Sequence, residues 1–229
     1  MKLKPTYKKV TPSFGSSLVV RQHTQEALKS SAFWHFHPEL ELVYVNKGQG
    51  KRHIGNHLSY FNNSQLILIG SNLPHNGFVD RLTTRGLETI VQFMPNFLGD
   101  TFLKLPEMER IAMLFERAKK GVLFKPETKV VVGPKIEALM EVQGFNRVIK
   151  LLEILHDLAL SEHYSLLNVD GVAFETEPQD SAKVDVIFRY INTHFQRHIS
   201  LEEIADQANM TVPAFCRFLK RQRVKHLPS

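Results

Sequence analysis

The chain has a single cysteine, Cys216, in 229 residues. That scarcity excludes an internal disulfide and fits a reducing compartment. No run of about 18 apolar residues occurs, so nothing in the sequence reads as a membrane span. The opening Met1-Lys2-Leu3-Lys4-Pro5 lacks the apolar core of a secretory signal, and a cytoplasmic location is expected. Internal repeats and low-complexity tracts are missing too. What remains is ordinary for a globular protein: 43% apolar and 23% charged residues, at a length that suits one large or two modest domains.

Acidic residues are in the minority, 23 against 29 Lys and Arg, for a formal charge of +6. The excess is uneven. Residues 183–229 hold eight bases and four acids (Asp185, Glu202, Glu203, Asp206), so +4 of the +6 lies there. A basic bias on one small segment suits a polyanionic partner.

That segment reads as two short helices joined by a tight turn. Ser200 followed by Glu203 is a capping box, and Leu201, Ile204, Ala205 and Ala208 fall on one face. Asn209 tolerates the left-handed conformation that ends a helix, and Met210 can plug the corner. Thr211 caps the next helix, whose first turn accommodates Pro213. Phe215, Phe218 and Leu219 face inward, leaving Arg217, Lys220 and Arg221 outside. Upstream, Val184, Ile187, Phe188, Ile191 and Phe195 predict a third helix over 183–196. A helical hairpin with a solvated charged face would show the same pattern.

The run from Ile199 to Arg221, with YINTHFQRH before it, resembles the first helix-turn-helix of AraC-family transcription regulators. The resemblance implies that the second helix enters the major groove of DNA. The base-reading positions of the family then fall on Pro213, Cys216 and Arg217, of which Arg217 can make a bidentate contact to guanine. Lys220 and Arg221 become phosphate contacts. Cys216 is a structural thiol in that helix rather than a redox sensor.

The family continues with a second unit, and here the text departs from it. Gln222 to Ser229 show no helical periodicity and do not carry the Thr-Gly-Lys-Thr-Phe-like turn expected next. One codon set for these residues, read a base earlier, yields Thr-Thr-Gly-Lys-Thr-Phe-Thr-Glu. A frameshift and a truncated, weakened DNA reader are therefore expected, and the nucleotide sequence would settle the point.

The front half reads as strands: 17–21, 39–45, 51–54, 66–69 and 87–93, separated by Gly48-Gln49-Gly50, Gly55-Asn56 and Asn62-Asn63-Ser64. A small antiparallel barrel or sandwich follows. Helical spacing then covers 107–119, 134–141 and 146–161, the last two forming a Leu-rich pair able to pack on the barrel or on a second copy of the chain. Residues 162–182 read as the linker. The expected fold class is α+β: an N-terminal cupin-like antiparallel β-barrel with a helical pair over 1–161, then a small all-α helix-turn-helix unit over 183–229.

Within the barrel, His35-x-His37-x3-Glu41-x6-Gly48 resembles the first motif of cupin barrels, and Pro74-His75 the end of the second, with Asn72 where a glycine is expected. Strand alternation directs His35, His37 and Glu41 to one face. With His75 they form a three-His, one-carboxylate set suited to a divalent metal. Alternatively, Glu41 hydrogen-bonds a histidine or an amide and no metal is held. His53, His57, His156, His163 and His194 have no matched partners and read as surface or structural.

Together the resemblances imply a non-enzymatic, homodimeric regulator that binds DNA and a small-molecule effector. The effector site would comprise His35, His37, Glu41, Tyr44 and His75, with Trp34 and Phe78 as apolar wall. Two other readings stay open: a metal-binding cupin protein or enzyme, and a ligand-sensing dimer that does not bind DNA.

Overall fold

The computed structural model describes residues 5–24, 34–76, 86–168, 186–187, 190, 197 and 199–224, with side chains on the last helix as far as Phe218. The chain divides into two compact units, Met1–Val172 and Ala173–Ser229.

The first unit is built on β1 (Thr6–Tyr7), β2 (Leu18–Thr24), β3 (Trp34–Phe36), β4 (Leu40–Asn46), β5 (Gly50–Ile54), β6 (His57–Phe61), β7 (Gln65–Ile69), β8 (His75–Asn76), β9 (Leu87–Phe93), β10 (Val122–Phe124) and β11 (Tyr164–Leu166). These pair into two sheets, β1-β3-β8-β5-β6 and β11-β10-β7-β4-β9-β2. All pairings are antiparallel except β1 with β3. The expected barrel is thus corrected: among the described residues the strands form two separate sheets and no closed barrel.

Each predicted strand is present within a few residues of its expected ends. β4 and β7 are buried on both faces, which is why they read as apolar runs rather than alternations. On the outer face, Leu40, Leu42, Leu66, Leu68, Val91 and Phe93 form one core with three helices, α1 (Glu109–Ala118), α2 (Pro126–Glu137) and α3 (Gly144–Leu160). The helix expected to begin at Pro134 begins eight residues earlier, at Pro126, and Pro134 lies inside it. Pro126 suits a first turn, where no amide partner is required. The carbonyl that Pro134 deprives of a donor belongs to Val130, an exposed residue.

Residues 162–168, expected in the linker, belong to the first unit. β11 pairs with β10, and the buried Asn168 closes the unit. Its Nδ2 donates to the carbonyls of Ile54 and Lys120, both at 3.1 Å, and its Oδ1 accepts from the Asn56 amide at 2.8 Å. A three-residue strand is too short to announce itself by period. The rest of the linker, 169–182, lies outside the described residues.

In the second unit, α4 (Leu201–Gln207) and α5 (Val212–Val224) are joined by a short turn. Ser200 Oγ accepts from the Glu203 amide at 3.1 Å, and Asn209 adopts φ 51°. Thr211 Oγ1 accepts from the Ala214 amide at 3.4 Å. Ile187, Ala205, Ala208, Phe215 and Phe218 are buried together, with Ile204, Met210 and Val212 against them. Leu201 is instead exposed. Gln222, Arg223 and Val224, expected to be non-helical, continue α5, because extending a formed helix is cheap for Gln and Arg. Residues 225–229 lie outside the described residues, as does most of the helix expected over 183–196.

Candidate functional site

The four residues with metal-ligand chemistry come from both sheets. β3 ends at Phe36, the chain bends through His37-Pro38-Glu39, and β4 begins at Leu40. His35 and Glu41 therefore do not share a strand as alternation predicted; His35 lies in one sheet and Glu41 in the other. The bend folds them face to face between the sheets. His75 joins through β8, paired directly opposite His35. One ligand atom from each of His35, His37, Glu41 and His75 lies within 4.8 Å of the others, and all four side chains are buried.

Asn72 makes the corner that delivers His75. It takes φ 58°, and its amide donates to the His37 carbonyl at 2.8 Å. Asparagine tolerates this left-handed conformation better than other non-glycine residues, which explains its standing where a glycine was expected.

Backbone carbonyls set the histidine tautomers. His75 Nδ1 donates to the Leu73 carbonyl at 2.8 Å, and His37 Nδ1 to the Glu39 carbonyl at 3.2 Å. A carbonyl only accepts, so each ring turns Nε2 toward Glu41: His37 Nε2 at 3.1 Å from Oε2, His75 Nε2 at 3.7 Å from Oε1. Burial pushes the Glu41 carboxyl up, but the His75 charge and hydrogen bonding from both histidines outweigh it, holding Glu41 well below the usual carboxylate range. A carboxylate facing Nε2 atoms is matched either by a proton on a ring nitrogen or by a metal ion between them.

The sequence reading missed Gln92. It pairs with Glu41 in the β4–β9 register, its Nε2 donating to Glu41 Oε2 at 2.6 Å and lying 3.3 Å from His37 Nε2. Its Oε1 is buried without a hydrogen-bond partner. The available signal was a polar residue at an inward position of a strand otherwise rich in apolar residues.

Two expected pocket residues point elsewhere. Tyr44 is three residues from Glu41 and so on the opposite face of β4. Its ring packs on α2, where a Cβ at Gly133 would come within 2.6 Å of Cε2. Burial first, then Glu137, raises the Tyr44 pKa. Trp34 alternates with His35 and stacks on His53, ring centroids 4.1 Å apart, away from the histidine cluster. Phe78 lies outside the described residues. In the second unit, Pro213 and Arg217 are exposed on α5 and Cys216 is half-buried beside them. Lys220 and Arg221 fall on the same helix, with side chains outside the described residues.

No described helix is long and apolar enough to cross a membrane. No family model and no curated protein matches the chain. Among solved structures, it is similar to an apo ToxT from Vibrio cholerae strain SCE256 (TM-score 0.48, 13% identity, 91% of this chain and 76% of that one). It is also similar to unsaturated fatty acid bound wild-type ToxT from the same strain (TM-score 0.43, 11% identity, 93% and 76%). The AraC-like transcriptional activator CuxR overlaps at a TM-score of 0.39 with 11% identity, over 89% of this chain and 67% of that one. At TM-scores below 0.5 these likenesses carry no functional argument, and the functional reading rests on the chain's own residues.

Proposed function

We propose that the chain is a ligand-responsive transcription regulator of the AraC type, with no catalytic role. In this reading α4 and α5 form the DNA reader, α5 lies in the major groove, and Arg217 contacts a base edge. Pro213 and Cys216 sit beside it, and Lys220 and Arg221 meet phosphates. The observation that carries the reading is the capped helix pair with its compact core, which leaves Arg217 exposed on the helix whose sequence resembles the family's reader. The phosphate contacts make duplex binding fall with salt.

In the same proposal the first unit binds a small molecule between its sheets and pairs with a second copy. The exposed Val130, Val131, Phe145 and Ile149 on α2 and α3 support an interface on the helical side. The ligand acts only if it favours one arrangement of the units over another.

The test is duplex binding by fluorescence anisotropy over a salt series, against a pool of random sites to find the preferred sequence. Arg217→Ala should cost about 1–3 kcal/mol and relax specificity at one base position. Equal binding by wild type and variant to all duplexes would overturn the reading.

The clustering of His35, His37, Glu41 and His75 favours a second reading of the front unit as a divalent-metal site. The set fits: backbone acceptors hold the Nδ1 hydrogens of His37 and His75, which turns two Nε2 lone pairs toward the Glu41 carboxylate. Turning the Gln92 amide would present its unpartnered Oε1 to the same centre. A bound ion would supply charge balance to the buried carboxylate and a Lewis acid for a ligand oxygen. Metal analysis of the purified chain, with His37→Ala as control, separates the two.

A further inference from the structure

At the far end of the sandwich lies a buried cation that forms no ion pair among the described residues. Arg52 on β5 is 6% exposed and sits over the Phe61 ring, its guanidinium carbon 5.7 Å from the centroid. Its Nη2 donates to the Tyr60 carbonyl at 3.3 Å, while Nε and Nη1 are buried without hydrogen-bond partners. No carboxylate among the described residues forms an ion pair with it, and burial alone draws its pKa below the ordinary arginine value.

Gln65 on β7 has the same defect. It is 2% exposed, and neither its Oε1 nor its Nε2 has a partner. Leu66 and Leu68 face the helices, so Gln65 faces between the sheets. Both residues belong to one end. Gln65 pairs with Val45, whose side chain and the Phe61 ring both lie within 4 Å of a Cβ placed at Gly48. Lys129 reaches the same end from α2, its Nζ 3.4 Å from the Ser64 carbonyl. Burial, and then the Arg52 charge, pull Lys129 below its ordinary value. Glu88 lies in the same row beyond Val45. Glu41 is four residues along β4 from Val45, roughly 13 Å away, so this end is separate from the histidine cluster.

Buried polar groups in folded proteins are hydrogen-bonded, and an unpaired buried charge is among the costliest defects a fold can hold. A guanidinium with free N–H groups matches a planar oxyanion. We propose that Arg52, with Gln65 and Lys129, forms a receptor for the oxyanion of a small molecule, a carboxylate or a phosphate. It deepens the effector-binding half of the function proposed above and is independent of the DNA-reading half. The orphaned atoms are sealed from solvent, so the occupant becomes enclosed, and binding stabilises the unit by mass action.

The full chain is titrated with acetate, hexanoate and inorganic phosphate at constant ionic strength, with chloride as reference. Melting temperature and the emission of Trp34, the single tryptophan, report binding. A saturable response to at least one oxyanion beyond chloride is expected. Tightest binding by hexanoate assigns a carboxylate with an apolar body; tightest binding by phosphate assigns a phosphate. Arg52→Gln should weaken binding about tenfold or more, Gln65→Leu should weaken it less, and Lys150→Gln, on the exposed face of α3, should leave it unchanged. The Arg52 Nε–H resonance of the wild-type chain should shift on saturation, which reads the contact without a substitution. No oxyanion response beyond chloride, or an unmoved Arg52 resonance at saturation, overturns the proposal. Binding lost in His37→Ala but kept in Arg52→Gln also overturns it while leaving effector binding at the histidines standing.

Discussion

Gln92 Nε2 donates to Glu41 Oε2 across 2.6 Å, joining β9 to β4 at the register position that pairs the two residues. The bond holds the carboxylate against His37 and leaves little rotational freedom to either side chain. Both are buried, so the bond has no competitor in bulk water. Gln92→Leu should lower stability by about 1–3 kcal/mol, the cost of leaving a buried acceptor short of a donor. A urea-denaturation midpoint equal to wild type would contradict this.

The approach of α2 to β4 depends on the absence of a side chain at Gly133. A Cβ there would lie 2.6 Å from Tyr44 Cε2 and 2.7 Å from its Oη, so the ring or the helix must shift. Gly133→Ala is expected to destabilise the first unit by about 1–3 kcal/mol despite alanine's better helix propensity. Combined with Tyr44→Leu, the loss should be smaller than the sum of the two single losses, because both act on one contact. Strict additivity in thermal denaturation would refute the clash.

Asn168 ties three segments with the side chain of one buried residue: the β5 end, the turn after β5 and the turn after α1. Asn168→Ala should cost about 1–3 kcal/mol. Amide exchange at Asn56, the donor to Asn168 Oδ1, should accelerate ahead of exchange at the centre of β4. Unchanged protection at Asn56 would show that the clasp is dispensable.

His53, stacked on Trp34, titrates below its ordinary 6.5 because of burial and then the nearby Lys51. The native state therefore binds fewer protons than the unfolded state as pH falls through 6.5. Stability should decline from that pH down to the depressed native value and then level off. Trp34 emission should change with a midpoint below 6.5, and His53→Gln should abolish that step. A midpoint above 6.5 would reverse the sign and reject the assignment.

Much of the second unit was legible because its signals are local. Ser200, Asn209 and Thr211 each act on a backbone within three residues, and the spacing of Ala205, Ala208, Phe215 and Phe218 suffices to name the core. The long strands and the helices of the first unit were legible for the same reason. β3, β8, β10 and β11 have two or three residues each, too few for a period, and exist only because a partner strand lies alongside. Tyr44 was legible in principle, since its odd offset from Glu41 places it on the other face. Gln92 was legible only as a polar residue among apolar ones, because its partner, Glu41, is set by the strand beside it.

The sequence by itself determined which residue types recur, where helices and long strands run, and that His35, His37, Glu41 and His75 are a set with metal-ligand chemistry. Only the tertiary structure decided how they meet. The bend at His37 splits the expected strand between two sheets, and the pairing of β3 with β8 brings His75 opposite His35. Register likewise placed Gln92 on Glu41, and the inward alternation of β7 left Gln65 unpaired at the end where Arg52 is buried. Capping and periodicity act within a few residues of chain, whereas a buried polar group takes its partners from strands far away in sequence. Its chemistry is therefore settled only when those strands are in register.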